Sequence, residues 1–207
     1  LKELQEKLQL QMLYTKVSAH TAGADKNAPK LAVVFRASDT LLTSRFCTIP
    51  AALPANTATK STLYPMAPSR NVKGDPEKIK QAFDLALEQT ERSLGSIDWN
   101  SYGSILFISK SIGTVISSAY ASRHDLTVKS ILFTPLAETF SLPLAGSIAF
   151  HGTADPWAET DSIQKLAAQK DVPLFLTQNA NHSLETGDVL TDIFILKTTM
   201  ERVQRFI

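Results

Sequence analysis

The chain has 207 residues, of which 43% are hydrophobic, enough to bury the core of one α/β domain of ordinary size, so a single domain over residues 1–207 is expected. Its 21 basic and 20 acidic side chains are interspersed and leave a formal net charge of +1, which argues against nucleic acid as a partner. No apolar stretch reaches the roughly 20 residues that cross a bilayer, the start Leu1-Lys2-Glu3-Leu4-Gln5-Glu6 is too charged for a signal-peptide core, and the lone Cys47 has no internal partner; the expectation is a cytoplasmic protein without a membrane span.

Along the chain, Leu8 to Val17 carries both helical and alternating apolar spacing and is read as a short helical or irregular start leading into a strand. Thr21 to Pro29 is a polar turn. Lys30-Leu31-Ala32-Val33-Val34-Phe35 is a β-branched run of the kind buried on both faces of a parallel sheet. Arg36 to Pro54 reads as loop or irregular helix, and Thr57 to Tyr64 as a further strand. Asp75-Pro76 is a helix start with Asp at the cap and Pro at the first helical position; Ile79, Phe83, Ala86, Leu87, Thr90 and Leu94 then make one apolar stripe that Gly95 ends. Strands are expected at about 104–108, 128–133, 147–151 and 172–176, with helices at 112–123 and about 160–170 between them. In the last helix Val189, Ile193, Leu196, Met200, Val203 and Ile207 step by four and three, which predicts its buried face. Alternating strands and helices imply a mostly parallel sheet with helices on both faces, a three-layer sandwich.

The chemistry concentrates at the ends of three of these strands. After Ser104-Ile105-Leu106-Phe107 the chain reads Ile108-Ser109-Lys110-Ser111-Ile112-Gly113-Thr114 and runs into a small-residue helix. A serine at a sharp turn from strand to helix is a nucleophile elbow, and small residues two before and two after it, here Ser109 and Gly113, relieve the crowding. Downstream come His151-Gly152-Thr153-Ala154-Asp155-Pro156 and Asn181-His182-Ser183, each just beyond a predicted strand. Serine, acid and histidine stand in that order, separated by 44 and 27 residues, room in each case for a crossover helix and a strand. Ser109-Lys110-Ser111 also has the look of a phosphate-binding loop, but the glycine before the lysine is missing and Ile105 to Ile108 are apolar where that loop needs turning backbone. Lys110 is then expected to be a solvated elbow residue.

From about Lys73 to Ile207 the chain resembles the α/β-hydrolase superfamily, specifically the small serine hydrolases without a cap domain. The 13 residues between Phe133 and Ser147 leave no room for a cap. The resemblance implies Ser111 as nucleophile, His182 as base and Asp155 as the acid that orients the imidazole, with Glu138 as a rival acid after the preceding strand. It makes His151 a packing residue of the acid loop, and His124, at the end of a helix, is given no catalytic role. It further implies an oxyanion hole formed by the backbone N–H of Ile112 and a second donor from the loop after Phe35. There the family has a glycine and this chain reads Arg36-Ala37-Ser38-Asp39, so Ser38 is taken as that donor, with Ala37 next. No pair of histidines has metal-ligand spacing with cysteines or carboxylates, and neither a metal nor a cofactor is expected. The expected activity is that of a serine hydrolase acting on a small-molecule ester, a carboxylesterase working through an acyl-serine; acyl transfer by the same triad and a catalytically silent binding fold are the alternatives.

Overall fold

A computed structural model describes residues 29–37, 57–64 and 76–207. Six strands, β1 (Lys30–Ala37), β2 (Thr57–Tyr64), β3 (Ser104–Lys110), β4 (Lys129–Phe133), β5 (Ser147–Gly152) and β6 (Leu174–Thr177), form one sheet in the order β2-β1-β3-β4-β5-β6. Every neighbouring pair is parallel. Among the described residues four helices accompany them: α1 (Pro76–Leu94), α2 (Ile112–Arg123), α3 (Thr160–Gln169) and α4 (Val189–Phe206). The strand order reverses between β1 and β3, the kind of switch point beyond whose carboxyl ends open α/β sheets bind ligands.

Strand alternation sorts the core into layers. Leu31, Val33 and Phe35 of β1 and Ile105 and Phe107 of β3 pack on one face with Ala86, Leu87 and Leu94 of α1 and Ile116 and Tyr120 of α2. On that same face Leu132 and Ala149 meet Ile163 and Ala167 of α3. The intervening residues Leu106, Ile108, Ile131, Phe133, Ile148 and Phe150 point the other way and are covered by Val203 of α4. Burying a side chain of this size stabilises the fold by about 1.5–3 kcal/mol, so β3, with Ile105 to Ile108 buried on both faces, is held firmly just before Ser111.

The predicted elements from 76 onward form with ends shifted by one or two residues, and β2 spans the predicted Thr57–Tyr64. The segment read at Leu8 to Val17, all but Pro29 of the turn read at Thr21 to Pro29, and the cap residue Asp75 lie outside the described residues; of the loop read at Arg36 to Pro54, Arg36 and Ala37 instead continue β1 and the rest lies outside them. The expected buried face of the last helix fails in part. Val189 and Ile193, placed in the buried stripe of the last helix, are 58% and 54% exposed, as are their neighbours Leu190 and Phe194 at 78% and 66%. The helix instead buries Asp192, Thr199 and Val203, and the apolar side chains it packs on the core are Ile195, Met200, Val203 and Phe206. Asp192 is accommodated by hydrogen bonds from the backbone N–H (2.7 Å) and hydroxyl (2.9 Å) of Thr186.

Candidate active site

Ser111 stands between the end of β3 and the first residue of α2 with φ 56° and ψ −130°, a conformation that costs an L-residue on the order of 1–3 kcal/mol and persists only where its surroundings hold it. They do so on both sides. Its N–H donates to the Phe133 carbonyl of β4 (3.0 Å), and its own carbonyl accepts from the Thr114 N–H (2.9 Å) and the Thr114 hydroxyl (2.7 Å). Ser109, where the usual elbow has glycine, is buried and accepts a hydrogen bond from the Ser117 hydroxyl of α2 (3.0 Å), so its side chain is absorbed into the strand–helix joint. The serine precedes a helix yet makes no side-chain capping bond. Its hydroxyl lies 2.8 Å from His182 Nε2.

His182 is presented by the connection between β6 and α4. Asn181 folds that segment: its Oδ1 accepts from the N–H groups of Ser183 (2.7 Å) and Glu185 (3.2 Å), and its N–H donates to the Glu185 carbonyl (2.8 Å). Asn179 and Leu184 flank the turn at φ 57° and 56°. The other ring nitrogen, Nδ1, lies 2.7 Å from Asp155 Oδ2. Asp155 is fully buried and its second oxygen accepts from the Trp157 N–H at 2.9 Å. Gly152 is what lets the two loops approach. A Cβ added there would sit 2.2 Å from the Ala180 carbonyl oxygen and 2.6 Å from that of Asn181, a contact only glycine escapes.

The structure thus brings Ser111, His182 and Asp155 into one hydrogen-bonded chain. Glu138, the rival acid, is exposed on a 3₁₀ turn (Ala137–Ser141) and has no bond to His182. Ile112 is the first residue of α2, so its N–H has no acceptor within the helix and belongs to the positive end of the helix dipole. Ser38 lies outside the described residues, and Ala37 ends β1 on the strand beside β3. His124 caps the far end of α2 from Ser111 and pairs with Glu91 (2.7 Å). His151 is wholly buried: its Nε2 lies 3.3 Å from the Thr160 hydroxyl, while Nδ1 has no hydrogen-bond partner and stands 3.9 Å from Asp155 Oδ2.

Lys110 departs from its expected solvated state. It is half-buried, and burial lowers its pKa below the usual lysine value, with the carboxylates of Asp155 and Glu185 opposing that shift. Trp157, Gly152 and Asn181 were not marked in the sequence. An Asn two residues before a turn N–H is a recognisable signal; the other two depend on loops that meet only in the fold. Among the described residues no group of three or more His, Cys, Asp or Glu side chains is placed to hold a metal ion, and no helix is long and apolar enough to cross a membrane.

No protein-family model and no curated protein matches the chain. Solved structures do. A YdeN-like hydrolase of Pectobacterium atrosepticum is similar over 99% of this chain and 98% of its own (14% identity, TM-score 0.53). An alpha-beta serine hydrolase homologue from Coxiella burnetii is similar over 89% and 87% (15% identity, TM-score 0.59). The chain has the α/β-hydrolase fold. Esterase 2 of Thermogutta terrifontis shares the fold over 89% of this chain and 87% of its own, at 17% identity and a TM-score of 0.50. Among the described residues no cap domain is evident: the β4 to β5 connection carries only the short 3₁₀ turn.

Proposed function

We propose that this chain is a serine hydrolase, and specifically a carboxylesterase that works through an acyl-serine intermediate. The observation that carries the reading is the Ser111 hydroxyl, which leaves its helix uncapped and meets His182 Nε2 at 2.8 Å while Nδ1 of the same ring meets Asp155 at 2.7 Å. A serine hydroxyl is a weak nucleophile until a base takes its proton. In this reading Ser111 Oγ attacks the ester carbonyl as its proton passes to His182 Nε2; the C–O bond to the alcohol breaks and the leaving oxygen takes that proton. Water then repeats the sequence on the acyl-serine, yielding the carboxylic acid. Asp155 holds the imidazole with its proton on Nδ1 and stabilises the imidazolium between steps.

The tetrahedral oxyanion would be met by the Ile112 N–H and, from the loop after β1, by Ser38, each such donor contributing about 3 kcal/mol to the transition state. Neighbours of the same fold described as a YdeN-like hydrolase, a serine hydrolase homologue and an esterase support the reading at the level of reaction class. A small, uncapped ester site on one cytoplasmic α/β domain, without metal or cofactor, completes it. The test is a panel of p-nitrophenyl esters of graded acyl length, with intact-protein mass spectrometry of the quenched reaction. Turnover with an acyl mass on the Ser111 peptide, both lost in Ser111→Ala at an unchanged thermal midpoint, is the expected outcome. A folded protein that neither turns over nor acylates would favour the silent binding fold.

A further inference from the structure

Beside the triad stands a large aromatic side chain with no part in it. Trp157 is 58% exposed, although an indole is among the side chains that gain most from burial, and its ring centroid lies 6.0 Å from that of His182 at an interplanar angle of 46°. Its place is fixed from below: Pro156 precedes it, and its own N–H is bound to Asp155 at 2.9 Å. The indole therefore flanks the imidazole on a main-chain anchor, held by the same carboxylate that orients His182.

What it flanks can be stated chemically. In acylation the C–O bond breaks and the departing alcohol oxygen collects the proton from His182 Nε2, so the alcohol must lie within hydrogen-bond reach of that nitrogen at the moment it leaves. The acyl chain has no such requirement, since its carbonyl oxygen turns toward the Ile112 side. A surface beside His182 therefore meets the alcohol half of an ester.

We propose that the Trp157 ring is the binding face for the alcohol portion of the substrate, and that the preferred substrates are esters of aryl or other flat apolar alcohols. This rests on the Ser111–His182–Asp155 reading above. Offset stacking and edge-to-face contacts with an indole favour flat aromatic groups over short alkyl chains.

The test compares benzyl acetate with ethyl acetate in the wild type, Trp157→Ala and Trp157→Phe. All share one acetyl-enzyme, so deacylation is common and differences between the esters report on the alcohol alone. Intrinsic reactivity cancels when the benzyl-to-ethyl ratio of kcat/KM is compared between variants. Trp157→Ala is expected to lower that ratio by about tenfold, mostly through KM for the benzyl ester, and Trp157→Phe to restore most of it. The main-chain bond to Asp155 survives both changes, and an exposed ring leaves little packing to lose, which the thermal midpoint checks. An equal loss for both esters would make Trp157 a support of the acid loop and overturn the inference, as would an unchanged ratio. Failure of the underlying triad reading would look different: a folded wild type that hydrolyses neither ester and acquires no acetyl mass on Ser111 overturns both.

Discussion

Two imidazoles approach the same carboxylate oxygen from two regions of the molecule, and only one of them bonds to it. His182, on the loop after β6, lies 2.7 Å from Asp155 Oδ2; His151, near the end of β5, lies 3.9 Å from it. The difference follows from what each ring does with its other nitrogen and from water. Thr160 directs its hydroxyl proton toward the Thr153 carbonyl (3.5 Å), leaving its oxygen to accept from His151 Nε2 (3.3 Å). With its proton on Nε2, neutral His151 turns a bare Nδ1 toward Asp155 and cannot donate to it. The His151 side chain is 0% exposed against 18% for His182. Burial lowers the His151 pKa below the ordinary histidine value, Asp155 pulls it partly back, and the nearby His182 lowers it again. A single buried carboxylate thus serves one imidazole, because the second spends its ring N–H on Thr160.

The contrast is broken most severely by taking the carboxylate charge away. Asp155→Asn is expected to lower kcat by about 10⁴ with little change in KM, since an amide stabilises the wrong His182 tautomer and the damage falls on the transition state. Glu138→Gln, on its exposed turn, should stay within about twofold, inside the usual scatter of surface changes. Ester kinetics on both purified variants checks this, and a reversal of the two effects would move the acid to the other loop. Gly152→Ala comes next. Its methyl would displace the Ala180–Asn181 backbone, and with it His182; a shift of about 1 Å in a catalytic group costs on the order of 10²-fold, with roughly 1–3 kcal/mol lost from overpacking. A fall in kcat with a lowered thermal midpoint is the expected pair of readouts. Retained activity would mean that the two loops do not need their close contact.

The smallest effect is on stability against pH and belongs to His151. Its folded pKa is lowered, so the unfolded chain binds its proton first as pH falls. The stability it contributes is complete above the unfolded value of roughly 6.5 and is lost as pH drops from there toward the lowered folded value. His151→Gln, which removes the titrating ring and keeps a donor for Thr160, should flatten the decline of the thermal midpoint below about pH 6.5. An identical decline in both proteins would show that His151 is not buried neutral.

Much of this site is legible in the sequence. The strands at 104–110, 129–133 and 147–152 are buried on both faces and so read as continuous apolar runs. Ser111 and Asp155 stand out because each follows such a run, and His182 because it follows the shorter, half-buried β6, where a parallel sheet delivers side chains to one edge. What could not be read depends on neighbours distant in sequence. Lys110 looks like any lysine in a turn until Asp155 and Glu185 arrive beside it. Gly152 looks like an ordinary loop glycine until Ala180 crosses it at 2.2 Å from where a Cβ would be. Val189 and Ile193 keep the helical spacing of a buried face, but spacing says only that residues share a face and not that anything covers it.

The claim that His182 activates Ser111 is tested most directly by the rate at which a fluorophosphonate labels the protein. A serine hydroxyl is a weak nucleophile until a base takes its proton, and His182 Nε2 is the group within reach of it at 2.8 Å. The wild type should be labelled rapidly on the Ser111 peptide, Ser111→Ala should take no label, and His182→Ala should be labelled slowly. Labelling undiminished in a folded His182→Ala, or a folded wild type that takes no label, would contradict the account.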